Sequence, residues 1–210
     1  MVSVAQSINI SYVDSVQSYI DSHLKKIITT REPTSVYEPM HQLTFAPPKS
    51  TASVLCVAAC ELVGGSREDA IVAASSIHLM RAAMHLHERL LIGQHKNKSE
   101  SEPKISRHML GSNIELLIET GIISSAFGLL VGSINPTSNN SDKILRVIIE
   151  ITRAVGAQGM VEAEANEAEF DQLRDQRSQR LHECGAICGA ILGGGNEEEI
   201  EILKMFGVYV

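Results

Sequence analysis

The sequence predicts an all-α protein, and three observations carry that prediction. Apolar residues recur at helical steps: in the stretch from Ser76 to Gln94, Ile77, Met80, Met84 and Leu91 fall at three-, four- and seven-residue intervals. Helix stop and start signals occur back to back at two places, Gly64-Gly65 before Ser66 and Gly193-Gly194-Gly195 before Asn196. The chain is 44% hydrophobic with 4% aromatic residues and no Trp, so its core is built from Leu, Ile, Val, Ala and Met.

Size and charge narrow the class. At 210 residues the chain can bury a substantial core and falls within the usual range for one domain, so residues 1–210 are expected to fold as one helical unit. A net charge of −7 argues against a nucleic-acid partner. Four Cys are too few and too regularly placed for a secreted disulfide scaffold. The run from Ile114 to Ile134 is the most apolar, but Glu115 and Glu119 sit inside it, which favours a buried core helix over a membrane span. The first residues lack the Arg- and Ser-rich look of a transit peptide; either none existed or it has been removed.

The elements follow in order. Residues 9–29 read as an amphipathic helix, with Tyr12, Val13, Val16, Tyr19, Ile20, Leu24, Ile27 and Ile28 as its stripe and Lys25 and Lys26 in its last turn. Residues 30–50 hold Pro33, Pro39, Pro47 and Pro48 and read as a connecting segment with room for one short helix. The helix through 54–63 ends at Gly64-Gly65. Ser66 and Asp69 then start the next in the manner of a capping box. After Gln94 the run HKNKSESEPKIS reads as a polar loop over 95–106. Residues 107–132 read as a helix pair, 133–141 as a loop and 142–160 as a helix. The acidic stretch Glu162–Asp171 reads as a solvated helix or loop rather than a metal cluster. The small-residue helix through Cys184–Leu192 ends at its glycines. Asn196 caps the last helix, with Glu197, Glu198 and Glu199 in its first turn.

Two Cys pairs stand out, Cys56 with Cys60 and Cys184 with Cys188, each four residues apart on a helix. Such positions are about 5–6 Å apart at Cβ, whereas a disulfide wants roughly 3.8 Å, so neither pair is expected to be bonded. Zinc pairs usually come as C-x-x-C, which argues against a metal here. Two readings stay open: small buried residues, or residues that serve association with another chain.

At His85-Leu86-His87-Glu88-Arg89, with Gln94 beyond, the chain resembles the trans-prenyltransferases (isoprenyl diphosphate synthases) of the plant geranylgeranyl diphosphate synthase type. Those enzymes carry His-Asp-Asp on a helix and, after four intervening residues, a further Asp. Here His87 matches, while Glu88, Arg89 and Gln94 stand where the three Asp belong. Mg²⁺ takes several oxygen ligands and bridges to phosphates. Glu88 with Arg89 beside it cannot build that site.

The resemblance runs from about residue 30 to the end and is strongest at 54–65, 154–160 and 183–195. It implies further losses. Of the family's Gly-Gly-Lys-Arg-x-Arg-Pro grip on a diphosphate only Lys49 remains. The Arg-Arg-Gly after the first motif is missing. Glu164 and Glu167 take the places of a Gln and an Asp, Arg177-Ser178 that of a Lys-Thr, and the second Asp-rich motif is not reached by Val210.

The paired C-x-x-x-C motifs with the missing aspartates resemble the small, non-catalytic subunits of plant heteromeric geranyl diphosphate synthases, also described as recruiting proteins. The resemblance implies an isoprenoid synthase fold, a helical bundle, and a regulatory subunit that binds a catalytic large subunit as a heterodimer or heterotetramer. It implies a shift of the partner's products toward geranyl diphosphate, a plastid location, and no cofactor in this chain, with Mg²⁺ in the partner. Cys56, Cys60, Cys184 and Cys188 would serve subunit interaction. Lys49, His87, Arg177 and Ser178 would be remnants of a diphosphate site. A weak prenyltransferase using Glu88 and Lys49, and a helical scaffold unconnected with prenyl diphosphates, are the rival readings.

Overall fold

The computed structural model of the chain describes residues 2–46, 51–96, 112–135, 137, 140–156 and 170–209, with side chains described for 12–46, 51–90, 113–135, 137, 140–156 and 175–209. Among the described residues the regular structure is all helix: α1 (Val2–Ile27), α2 (Thr34–Phe45), α3 (Thr51–Leu62), α4 (Arg67–Lys96), α5 (Ser112–Gly132), α6 (Ser141–Val155), α7 (Phe170–Gly193) and α8 (Glu197–Val208).

The centre of the bundle is the α3–α7 pair, the most extensive helix contact among the described residues. The two helices run parallel, and the sequence shows why they come so close. Gly185, Gly189 and Gly193 recur every four residues on α7. A Cβ added at them would meet the carbonyl oxygens of Ala52, Cys56 and Cys60 at 2.2, 2.0 and 2.6 Å. Only a hydrogen at each of these α-carbons lets the helix backbones touch.

Both helices end in the same way. Gly64 and Gly194 take left-handed φ values of +97° and +86°, a conformation that costs glycine little. Gly65 N donates to Cys60 O at 2.9 Å, and Gly195 N to Ala190 O at 2.9 Å. The next helix starts with a cap in each case: Ser66 N donates to Asp69 Oδ2 at 2.9 Å, and Asn196 and Glu199 form a reciprocal capping box. Helix–glycine turn–capped helix is thus built twice, 130 positions apart, and the two turns pack against one another, Gly65 beside the Gly193 α-carbon.

Around this pair, α4 lies against α3, α5 and α7, while α6 and α8 cover the other side of α7. One cluster of buried residues runs through all the helices. α1 is held by Val16, Ile20 and Leu24, each 0% exposed. A clamp near its middle helps: Tyr12 OH donates to Glu61 Oε2 at 2.5 Å, and Arg67 Nε donates to Glu61 Oε1 at 2.6 Å.

Several boundaries differ from those expected. The short helix that the segment 30–50 has room for is α2, which fills twelve of its residues with Pro39 inside. An interior proline removes a backbone bond and costs about 3 kcal/mol. Packing outweighs it: Met40 and Thr44 are buried, and His78 Nε2 of α4 lies 3.2 Å from Thr44 O. The stretch 76–94 is part of a longer helix that also takes in His95 and Lys96 from the expected loop; residues 97–106 of that loop lie outside the described residues. The expected helix pair over 107–132 is one helix from Ser112, with 107–111 outside the described residues. The helix expected over 142–160 stops at Val155, where Gly156 N donates to Thr152 O, and 157–160 lie outside the described residues.

The apolar run over 114–134 is a core helix on one face only. Ile118, Ile122, Ala126 and Leu130 are buried with Glu115 and Glu119, and the opposite face is exposed. By length and composition Asn113–Gly132 could cross a membrane, with a third of its most apolar window buried. Its two inward glutamates would be costly in hydrocarbon.

Candidate functional site

On α4, Arg81, His85, Glu88 and Arg89 occupy one side, at steps of four, three and one residue. Glu88 is 5% exposed, and its Oε1 lies 3.9 Å from an Arg81 guanidinium nitrogen. His87, next in sequence, points away toward α5, where its Nδ1 sits 3.3 Å from Glu119 Oε1. His87 and Glu88 are therefore split between separate interfaces. Gln94 belongs to α4, but its side chain lies outside the described residues. Lys49, Glu164 and Glu167 also lie outside them.

From α7, Arg177 is buried and Ser178 half-buried. His182, one turn on, pairs with Thr51 Oγ1 at 2.6 Å. Burial pushes the His182 imidazole down, a bond that it donates to the Ser178 backbone resists, and Arg81 pushes it down further. Burial likewise lowers His85, reinforced by Arg81 and Arg89. Arg81 thus acts on groups of both helices. Sequence reasoning missed both Arg81 and His182, although a seven-residue step from Arg81 to Glu88 marks a shared helical face.

A magnesium site of the family's kind needs several carboxylates converging on one ion. Among the described residues no group of three His, Cys, Asp or Glu is placed to hold a metal. On this side of α4 the one carboxylate, Glu88, has Arg81 and Arg89 for neighbours. The described residues of this face do not fit that ion.

The four Cys are all thiols and all buried in the chain's own core, at the α3–α7 seam. Cys184 Sγ and Cys188 Sγ are 3.8 Å apart, far longer than a disulfide. Burial pushes the Cys56 thiol well up. The contact with Cys184, then burial, does the same for Cys188. Burial, then Asp69 and Glu61, push Cys60 up to about 11. With their thiols held protonated, Cys56, Cys60 and Cys188 are poor nucleophiles and poor metal ligands. Their place beside Gly185 and Gly189 makes them spacers between two closely packed backbones.

A second feature is a surface. Leu117 and Val131 on α5, and Leu145 and Ile149 on α6, are 47–59% exposed. Between the α5 pair run exposed Thr120, Ser124 and Gly128, and a Cβ at Gly128 would meet nothing within 4 Å. An apolar helix face with a small-residue centre lets another helix approach closely.

No protein-family model matches the chain. It is 44% identical over 216 aligned positions to a protein of Cannabis sativa called heterodimeric geranylgeranyl pyrophosphate synthase small subunit 2, chloroplastic, covering 95% of this chain and 74% of that one. Among solved structures it matches the geranyl diphosphate synthase small subunit of Antirrhinum majus at a TM-score of 0.80 and 46% identity, covering 95% of this chain and 80% of that one. A mint heterotetrameric geranyl pyrophosphate synthase deletion mutant matches at the same TM-score with 43% identity and the same coverage. The helical bundle is therefore the isoprenoid synthase fold, and the chain belongs to the trans-prenyltransferase family, in its group of heteromeric geranyl and geranylgeranyl pyrophosphate synthase small subunits.

Proposed function

We propose that this chain is a non-catalytic subunit that binds a catalytic geranylgeranyl pyrophosphate synthase large subunit and shifts its products toward geranyl diphosphate. The observation that carries the reading is the exposed apolar face of α5 and α6 in a chain whose relatives are called heterodimeric small subunits. That face offers a second helix pair a surface with a small-residue centre, giving a heterodimer or, doubled, a heterotetramer. The chloroplastic names of the relatives favour a plastid, and we place the complex in the stroma.

The site on α4 supports the absence of independent turnover. Catalysis of this kind depends on cations and metal ions acting as a unit, so remnants should not give a partial rate. Mg²⁺ acts at the partner's site, and this chain needs none. The cysteine pairs contribute to association through the α3–α7 packing they set, since they have no exposed surface of their own.

Without its own active site, the subunit acts by favouring some states of its partner's site over others. Product length is a competition between release and one more condensation. A tenfold change in that ratio needs about 1.4 kcal/mol, within the roughly 1–3 kcal/mol typical of coupling between sites. Contact across α5 and α6 can supply this by shifting helices that wall the partner's elongation pocket.

The test is to titrate this chain into purified large subunit with both C5 substrates and Mg²⁺. Geranyl diphosphate, or total turnover, rises and saturates at a fixed stoichiometry, and the chain alone is silent. A stable complex with the large subunit's own product profile and rate leaves only a scaffold role. Clear turnover by this chain alone, or by its Glu88→Asp, Arg89→Asp, Gln94→Asp variant, refutes the inactive reading.

A further inference from the structure

We propose that Glu119 and Ser76 are positioning residues that fix the rotation of α5 about its own axis, and so decide which of its faces meets the partner. The proposal rests on the reading of the α5–α6 face as the large subunit's docking surface. It starts from the way α5 is turned. Its two charged residues, Glu115 and Glu119, both point inward, 3% and 7% exposed, while Leu116, Leu117 and Val131 are 55–59% exposed.

Hydrophobicity does not choose this rotation. Each residue of a helix advances by about 100° around the axis. The stripe that lies one residue on from Glu115, Glu119, Ile122 and Ala126 is therefore Leu116, Thr120, Ile123 and Phe127. That second stripe trades two carboxylates for a leucine and a threonine, and is the more apolar of the two. If burial of apolar side chains alone decided, α5 would turn its glutamates to water and Leu116 to the core.

Polar contacts with α4 hold the observed rotation instead. Glu119 Oε1 meets His87 Nδ1 at 3.3 Å. Two turns further along α5, the Ser76 hydroxyl of α4 donates between Val72 O at 2.9 Å and Ala126 O at 3.0 Å, tying one helix backbone to the other. Ala126, 0% exposed, leaves room for that contact; the second stripe would bring the Phe127 ring to the same place. The arrangement costs stability, because Glu119 Oε2 is buried with no hydrogen-bond partner among the described residues. A buried polar group that lowers stability suits a role in specificity, where it selects one of several nearly equal packings. Here the packing selected sets Leu117, Thr120, Ser124 and Gly128 outward, beside Leu145 and Ile149 of α6.

The test compares Glu119→Leu with Glu119→Gln, which keeps an acceptor for His87, and reads Tm, affinity for purified large subunit and a thiol probe in the chain alone. The probe is Thr120→Cys, exposed in the observed rotation. It reacts at neutral pH with a water-soluble aromatic disulfide, while the four native thiols are buried. In Glu119→Leu the Tm equals or exceeds the parent's. Probe rate and affinity both fall about threefold or more, and by the same factor, the fraction of chains still in the observed rotation. Glu119→Gln restores both, and Ser76→Ala lowers both by a smaller factor. If Glu119→Leu does not fold, Ser76→Ala carries the same readouts. Parental probe rate and affinity in the folded variants overturn the proposal, as does an affinity that falls only in step with Tm. A parent chain that binds no large subunit overturns the partner reading instead, and the probe rate still decides the rotation.

Discussion

Gly189 of α7 lies so close to the Cys56 carbonyl oxygen of α3 that a Cβ on it would sit 2.0 Å away, with the Ala59 methyl at 2.9 Å. Neither obstacle is the free end of a flexible side chain. Gly189→Ala must therefore push α3 and α7 apart. Overpacking of a well-packed core typically costs about 1–3 kcal/mol, and each kcal/mol is worth about 2–4 °C in Tm at this chain length. Thermal unfolding followed by circular dichroism measures it. The control is Gly128→Ala on the open side of α5. Nothing crowds that position, and alanine is the better helix former by up to about 1 kcal/mol. A Gly189→Ala protein as stable as the parent would mean that the seam is not close-packed.

The cysteine pairs give a second prediction. Each thiol is buried against the chain's own helices, so its chemistry counts through packing. Alanine in place of Cys56 and Cys60 leaves a small void, while serine adds a hydroxyl that must find a partner in the core. The double serine variant is expected to lose stability and to bind the large subunit more weakly. The double alanine variant retains more of both. Binding that falls in the alanine variant at unchanged Tm would instead mean that the thiols themselves touch the partner.

Stability against pH should show a plateau between about 6.5 and 9. On the alkaline side, Cys60 keeps its proton in the fold up to about 11, against 9.0 unfolded. Above pH 9 the unfolded chain loses a proton that the folded chain holds, so stability falls as pH rises through that window. Cys56 and Cys188 act in the same direction. On the acid side, burial lowers His78 below 6.5, against a backbone bond to Thr44. The unfolded chain takes up the proton first, so stability is lost as pH falls below 6.5. Tm measured from pH 5 to 10.5 checks both limbs. A curve still level at pH 10.5 would show that these thiols are not held protonated.

Local signals were legible in the sequence; long-range ones were not. Gly64 with Ser66 and Asp69, and Gly194 with Asn196 and Glu199, act over three to five residues, and each turn and cap stands where the residues placed it. The small residues of 184–193 could be read as a helix, but not that it packs in register on the Cys56 helix 133 positions away. The bounds of α2, the short helix for which 30–50 had room, could not be read because Pro39 speaks against a helix, while burial of Met40 and Thr44 decides the matter from outside the segment. In the site, the placing of Glu88 and Arg89 on one helix followed from their spacing alone. The role of Arg81 could not be read, since it depends on α7 packing beside α4. The apolar run of α5 read as wholly buried because hydrophobicity does not say which face meets the chain's own core.

That outer face carries the last prediction. Leu117 on α5 and Ile149 on α6 are about half exposed, at 59% and 47%, and neither belongs to the buried core cluster. Replacing either by Glu should leave this chain's own Tm nearly unchanged, since surface changes away from special features fall within about 0.5 kcal/mol. In a complex the same carboxylate would be buried without a partner, a cost of several kcal/mol. Affinity for the large subunit should then fall at least a hundredfold, or about 2.7 kcal/mol, by surface plasmon resonance. Gly128→Ala separates a close helix approach from a loose one: a methyl group there harms binding only if a second backbone lies within a few ångströms. Leu117→Glu and Ile149→Glu proteins that fold and bind with parental affinity would move the interface off α5 and α6. Loss of affinity in both, with Tm retained, would fix the partner on this face and leave the α3–α7 seam as its internal support.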